Sequence, residues 1–270
     1  MAISQTTKRS KSEHILILTA ITFLVIMLIL PLIFVLTTAF SDGVKTYLSA
    51  ITNPYSLAAL KLTLFTTILT IIVNVIFGIS AIWLIFNYQF HGKSVLLSLI
   101  DLPFAISPVV VGLFYVLTFG RIGWLFPLIE ILGIKIVFAV PAVVLVTIFV
   151  TLPFITREVL PVLEARGNEE EQAAAIFGAS TFKIFSKITL PHIKWPLLYG
   201  LVLTTARALG EYGAVSVVSG NLRGQTVTVP LQVEMLYNEY QFSASYAVAS
   251  LLVILAIIIL IIRNIIEHKK

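Results

Sequence analysis

Apolar residues in this chain gather into runs far longer than any amphipathic period. The runs at 15–40, 60–86, 95–119, 136–156, 196–219 and 244–262 each supply the roughly 20 residues that about 30 Å of hydrocarbon demands of a helix. The pattern predicts an all-α, polytopic membrane protein of about six transmembrane helices, because a bilayer leaves no other way to satisfy the backbone of an open chain. Prolines interrupt several runs: Pro31 in the first, Pro103 and Pro108 in the third, Pro141 and Pro153 in the fourth. Each frees a carbonyl that neighbouring protein or water must satisfy, so kinked helices packed in a bundle or around a cavity are expected.

Composition agrees: 59% of the 270 residues are hydrophobic and 11% charged, against about 45–50% and about 25% in soluble domains. The net charge of +5 follows topology rather than nucleic-acid binding. Lys8, Arg9, Lys11, Lys93, Arg157, Arg166, Lys183, Lys187, Lys194, Arg263, Lys269 and Lys270 fall on one side of six spans. Only Lys45, Lys61, Arg121, Lys135 and Arg223 lie opposite, so the positive-inside rule places both termini in the cytoplasm. The run after Lys8, Arg9 and Lys11 is too long for a cleavable signal and reads as a retained first span. The organisation is a tail at 1–14, one membrane domain at 15–262 that includes a cytoplasmic loop at 157–195, and a tail at 263–270. The outer loops near 41–58 and 221–243 are polar enough to be solvated, the second with a short surface helix. Cysteine is absent, which excludes disulfides and cysteine-ligated metals.

The 157–195 loop is patterned. Asn168 is placed to cap a helix, with Glu171 at the third position to reach back and Glu169 to Glu171 complementing the helix dipole. Ala173, Ala174 and Ala175 continue the helix and Gly178 stops it. Ser180 then opens a second helix, with Phe182, Phe185, Ile188 and Thr189 near three- and four-residue spacing and Pro191 as its end. By pattern alone this amphipathic helix-bend-helix suits a bilayer surface, its own bundle or a partner's groove.

Arg207 sits about 11 residues, roughly 16 Å, into the fifth run. A bare charge there costs at least about 2.5–3.5 kcal/mol, so it needs a partner, and Glu211 at i+4 shares its face. The pair either fixes helix packing or borders a translocation route for an anion. Gly210 and Gly213 read as close-packing positions. Asp101 reaches the cytoplasmic interface to cap or pair, and Arg223, outside, is either solvated or in contact with a binding protein. The four histidines lie in loops or at span edges, and no nucleophile, base or metal-ligand set occurs in the spans, so the chain is not read as an enzyme. His91, Gly92, Lys93 and Ser94 imitate the tail of a phosphate-binding loop, but Asn87 stands where its first glycine belongs.

The loop resembles the EAA loop of ABC importer permeases: Glu-Ala-Ala, three residues, Gly, nine residues, then Ile-x-Leu-Pro. Ala173, Ala174, Gly178, Ile188, Leu190 and Pro191 match; the motif's Glu falls on Gln172, with Glu171 one residue earlier. Leu102, Pro103, Phe104, Ser107, Pro108 and Val109 extend the resemblance, and Ala206 to Ala214 is similar to permeases of sulfate and molybdate importers. Val215 to Gly220, Arg223 to Thr226 and Leu236 to Tyr240 resemble the second of the two permeases of sulfate/thiosulfate importers. The resemblance implies a multi-pass permease of the bacterial inner membrane, or of a plastid envelope, whose loop seats coupling helices on a separate ATPase. It also implies two ATPase subunits, a second related permease or a second copy of this chain, and a periplasmic or lipid-anchored sulfate-binding protein. No cofactor is bound by this chain; ATP and Mg belong to the partner ATPase. The alternatives are a homodimeric molybdate or tungstate permease and an ion-coupled secondary transporter.

Overall fold

The computed structural model describes residues 11–268; Lys8, Arg9, Lys269 and Lys270 lie outside the described residues. The first run folds as α1 (Lys11–Leu24) and α2 (Leu30–Ala39), joined through a π-helical turn at Val25–Ile29. Proline-31 explains the turn: with no N–H and a ring that crowds the preceding turn, it is accommodated by the wider ladder, in which the Leu30 N–H reaches the Val25 carbonyl. After α3 (Val44–Thr52), α4 (Pro54–Asn87) forms the longest helix, its start capped by the Asn53 side chain accepting from the Tyr55 N–H at 2.9 Å. The predicted third span divides into α5 (Lys93–Ala105) and α6 (Pro108–Phe119), which turn by 111° at Ile106–Ser107. A short α7 (Phe126–Ile131) precedes α8 (Val140–Thr151) and α9 (Pro153–Arg166), which continue one another past the Pro153 step.

The loop holds α10 (Glu169–Ile176) and α11 (Thr181–Ile184), then a π-turn at Phe185–Thr189 that leads without a break into α12 (Leu190–Leu209). The fifth run breaks before α13 (Gly213–Val218); α14 (Val229–Asn238) and α15 (Phe242–His268) complete the described residues. Among the described residues, four segments are long and apolar enough to cross a membrane, Ser12–Ala39, Pro54–Asn87, Val140–Arg166 and Phe242–Glu267, with the bent α5–α6 pair a fifth. Helix α12 carries His192, Lys194 and Arg207 and is not among them.

Two expectations change here. The fourth span does not end at 156 but stays helical to Arg166, so the first ten residues of the predicted loop belong to the bundle. The 221–243 segment is less solvated than its polarity suggests: Val229, Leu231, Gln232 and Leu236 of α14 are buried, and the Val229 N–H donates to Thr63 Oγ1 of α4 at 2.9 Å.

The bundle closes around α4, whose inward stripe is small or polar: Ser56, Ala59, Thr63, Thr66, Thr67, Thr70, Asn74 and Gly78. Small residues let membrane helices approach, and hydroxyls and amides tie them together. Asn74 Nδ2 donates to Thr151 Oγ1 at 2.7 Å, joining α4 to α8. A Cβ on Gly78 would stand 2.9 Å from Ile155 Cγ2, and one on Gly200 would stand 2.9 Å from Ile155 Cα, so α4, α9 and α12 meet at Ile155. Gly112 of α6 likewise lies against Ala214 and Val217 of α13.

Candidate functional site

The 169–189 segment projects from the bundle, and its shape follows from its sequence. Helix α10 ends where Gly178 takes φ +82°, with the Ala179 N–H bonded to the Ala174 carbonyl at 3.0 Å and the Gly178 N–H to that of Ala175 at 2.9 Å. This doubly bonded reversal needs the left-handed conformation that glycine tolerates. It leaves Ile176, Phe177 and Phe182 on the surface, 85%, 90% and 78% exposed. An apolar knuckle of that kind on a projecting turn is a candidate contact surface.

The caps differ from expectation. Asn168 and Ser180 occupy the two N-cap positions, but neither side chain bonds a helical N–H. Asn168 Oδ1 instead accepts from Gln172 Nε2 at 2.9 Å, so Gln172, at the position of the motif's Glu, is engaged within α10 on an exposed face. Glu171 does not reach back to the cap. It is the one buried residue of α10, and its Oε1 accepts from Arg166 Nη1 and from Thr189 Oγ1, both at 3.0 Å. A single carboxylate thereby joins the end of α9, the start of α10 and the π-turn before α12. Arg166 also pairs with Glu170 at 2.5 Å, and His192 Nε2 stands 3.3 Å from the same carboxylate oxygen.

Pro191 does not end the second helix. The π-turn at Phe185–Thr189, closed by the Leu190 N–H on the Phe185 carbonyl, absorbs it as the first π-turn absorbs Pro31, and the chain stays helical from Thr181 to Leu209. The projecting turn and α12 are therefore joined by one continuous helix. Ile184 and Thr189 are buried, and Phe185 meets Trp83 of α4 edge-on at 5.5 Å, which seats this turn on the bundle. Ala173 is exposed and Ala174 half-buried; Ile188 and Leu190 are half-buried.

Within the membrane domain Arg207 Nη1 and Glu211 Oε2 stand 2.5 Å apart, with Glu211 buried and Arg207 31% exposed. Glu211 Oε1 also accepts the Ala214 N–H at 2.8 Å, capping α13 after the break. Gly213 packs tightly, a Cβ there standing 3.1 Å from Pro108 Cβ. Gly210 does not: within 4 Å a Cβ would meet only the Ala206 carbonyl oxygen, at 3.7 Å, because Gly210 ends α12 rather than facing another helix. Asp101 pairs with Arg157 Nε at 2.8 Å, and Arg223 with Glu239 at 2.5 Å. Asn87 and Gly92 close a plain turn between α4 and α5.

Sequence reasoning missed Arg166 and Thr189 as partners of Glu171. They lie five residues before it and eighteen after it, separated from it by the reversals at Gly167 and Gly178, so no single helix links them. The only available signal was three consecutive carboxylates, of which one had to face inward.

Residues 74–270 match the family described as "Binding-protein-dependent transport system inner membrane component". The chain is 47% identical over 264 residues, 97% of its length and 92% of the relative's, to the "Sulfate transport system permease protein CysW" of Synechococcus elongatus. It is 44% identical to the Escherichia coli K12 protein of the same name, covering 90% of this chain and 84% of that one. The "Probable sulfate transport system permease protein cysT" of Zygnema circumcarinatum is 33% identical, over 94% of this chain and 88% of its own. A bacterial ABC transporter involved in the import of alginate shares the fold, with a TM-score of 0.81 at 17% identity over 95% of this chain and 94% of the other.

Proposed function

Because the chain belongs to the family of binding-protein-dependent transport system inner membrane components, we propose that it is the membrane-spanning permease subunit of an ATP-driven importer of sulfate and thiosulfate. The substrate rests on relatives named as sulfate permeases that align over nearly the whole chain. The inner membrane is its location, with both termini and the 169–189 turn on the cytoplasmic face. Its partners are two ATPase subunits, a second and related permease, and a periplasmic or lipid-anchored sulfate-binding protein. ATP and Mg are held by the ATPase, and this chain holds no cofactor.

The observation that carries the coupling role is the knuckle of Ile176, Phe177 and Phe182 on a turn whose base Glu171 ties to α9 and α12. An apolar knuckle inserted into a cleft of the ATPase gains about 1.5–3 kcal/mol per fully buried large side chain. Closure of the ATPase then displaces α10 and α11, and the continuous 181–209 helix conveys the motion to Arg207. Arg207 borders the route of the anion and offers it a positive field that Glu211 neutralises at rest.

Phe177→Asp is expected to reduce the ATPase that co-purifies with the permease at least tenfold, since a charge replaces a 90%-exposed apolar anchor without touching the bundle. Equal recovery of the ATPase with wild type and variant would contradict the docking.

A further inference from the structure

A second ion pair lies on a membrane-spanning element and is more open than the first. Arg157 Nε donates to Asp101 Oδ1 at 2.8 Å, yet the two side chains are 56% and 41% exposed within this chain. Charges on membrane helices face protein or a water-filled cavity rather than lipid. The backbone agrees: a few residues beyond Asp101, α5 and α6 turn by 111° at Ile106–Ser107, and such a break is tolerated at membrane depth only where protein or water meets it. Phe104 lies beneath the guanidinium, 4.5 Å from its centre, and is held edge-on by Phe154 at 5.2 Å, so the arginine is propped by two rings.

The same short segment reaches the first pair. Pro108 and Val109, at the far side of the break, pack against Gly213, which follows Glu211 by two residues. The stretch from Asp101 to Val109 therefore runs from Arg157 to the Arg207–Glu211 pair. Helices α9 and α12 give the spacing. They meet at Ile155 with Gly200 and again where Glu171 links Arg166 to Thr189, contacts in opposite chain order, so the helices are antiparallel. Arg207 lies seven residues beyond Gly200, and Arg157 two residues beyond Ile155 in the other direction, which separates them by about 13 Å along the axes at 1.5 Å per residue.

We propose that Arg157 is a second anion contact on the translocation route, on the side of the 169–189 turn, which holds a divalent oxyanion once that anion displaces Asp101. This rests on the reading of the chain as an oxyanion permease. Two arginines, each with its own carboxylate, leave the empty route neutral; an arriving anion exchanges with one carboxylate and is expelled when that carboxylate returns. Binding is then strong enough to admit the anion and weak enough to release it.

The natural absence of cysteine permits a direct test. In the complete complex of permeases, ATPase and binding protein, Ala105→Cys, on an exposed position one helical turn beyond Asp101 and with Arg157 retained, is expected to react with an anionic, water-soluble methanethiosulfonate reagent, and millimolar sulfate is expected to slow that reaction at least threefold. Arg157→Gln should lower ATP-dependent sulfate uptake in proteoliposomes at least tenfold, with Arg157→Lys retaining most of it. If Arg157→Gln fails to assemble, the double variant Asp101→Asn/Arg157→Gln removes both charges and should assemble while remaining at least tenfold impaired. Normal uptake by the double variant, or a cysteine that does not react or reacts equally with and without sulfate, overturns the assignment. Absence of sulfate uptake by the wild-type complex overturns the permease reading beneath it and the assignment with it.

Discussion

Glu171→Ala is expected to abolish ATP-dependent uptake while the permease still inserts and purifies. The Glu171 carboxylate is buried and accepts two bonds at 3.0 Å, from Arg166 Nη1 and Thr189 Oγ1. Removing it leaves Arg166 with only the solvent-facing Glu170 and Thr189 with an orphaned buried hydroxyl. Losing hydrogen bonds to a charged, buried carboxylate costs about 1.5–3 kcal/mol each, which falls on the junction of α9, α10 and α12 rather than on the packing around Ile155. The projecting turn then moves without displacing α12. Hydrolysis stimulated by the binding protein should fall at least tenfold or lose its link to uptake, and hydrogen exchange should rise across 167–189. Gln172→Ala, which breaks only an exposed bond to Asn168, should stay within about twofold of wild type. Equal loss in both variants would show that the ion pair is not what fixes the turn.

The second large effect lies at the broken helix. Glu211 is buried, caps α13 through the Ala214 N–H and neutralises Arg207. Glu211→Ala leaves a guanidinium unpaired in the membrane domain, at a cost that begins near about 2.5–3.5 kcal/mol, and frees an N–H as well. Little folded complex should survive detergent extraction. Arg207→Gln/Glu211→Gln removes both charges and preserves an acceptor for Ala214, so it should recover folding yet remain at least tenfold impaired in uptake. Recovery of uptake together with folding would reduce the pair to a packing device.

These two sites differ in how far the sequence discloses them. The spans are legible because hydrocarbon imposes length and apolarity on each segment independently, and Arg207 with Glu211 is legible because an i, i+4 pair is local. Gly178 is likewise legible: the left-handed reversal it makes is fixed by its own φ of +82°. Glu171 is not, because its direction is decided by Arg166 and Thr189, which arrive from other elements. Read as a capping residue for α10, it proves to be a tie between helices, a tertiary contact prevailing over a local rule. Pro191 is misread for a related reason. Proline ends an ordinary helix, but the π-turn at Phe185–Thr189 widens the ladder enough to carry α12 through it. For the proposed coupling that difference matters, since a terminated helix would separate the turn from Arg207. The Asp101–Arg157 pair spans 56 residues of chain, so periodicity offers no view of it.

The central claim is that this chain, seated on an ATPase through the 169–189 turn, carries sulfate across the membrane. Its most direct test is uptake of radiolabelled sulfate into proteoliposomes that contain this permease, its related permease and the ATPase, with the sulfate-binding protein supplied on the outer face. The account predicts uptake that requires ATP and the binding protein and is lost with Glu171→Ala. Uptake that persists without ATP and follows an imposed ion gradient would contradict it.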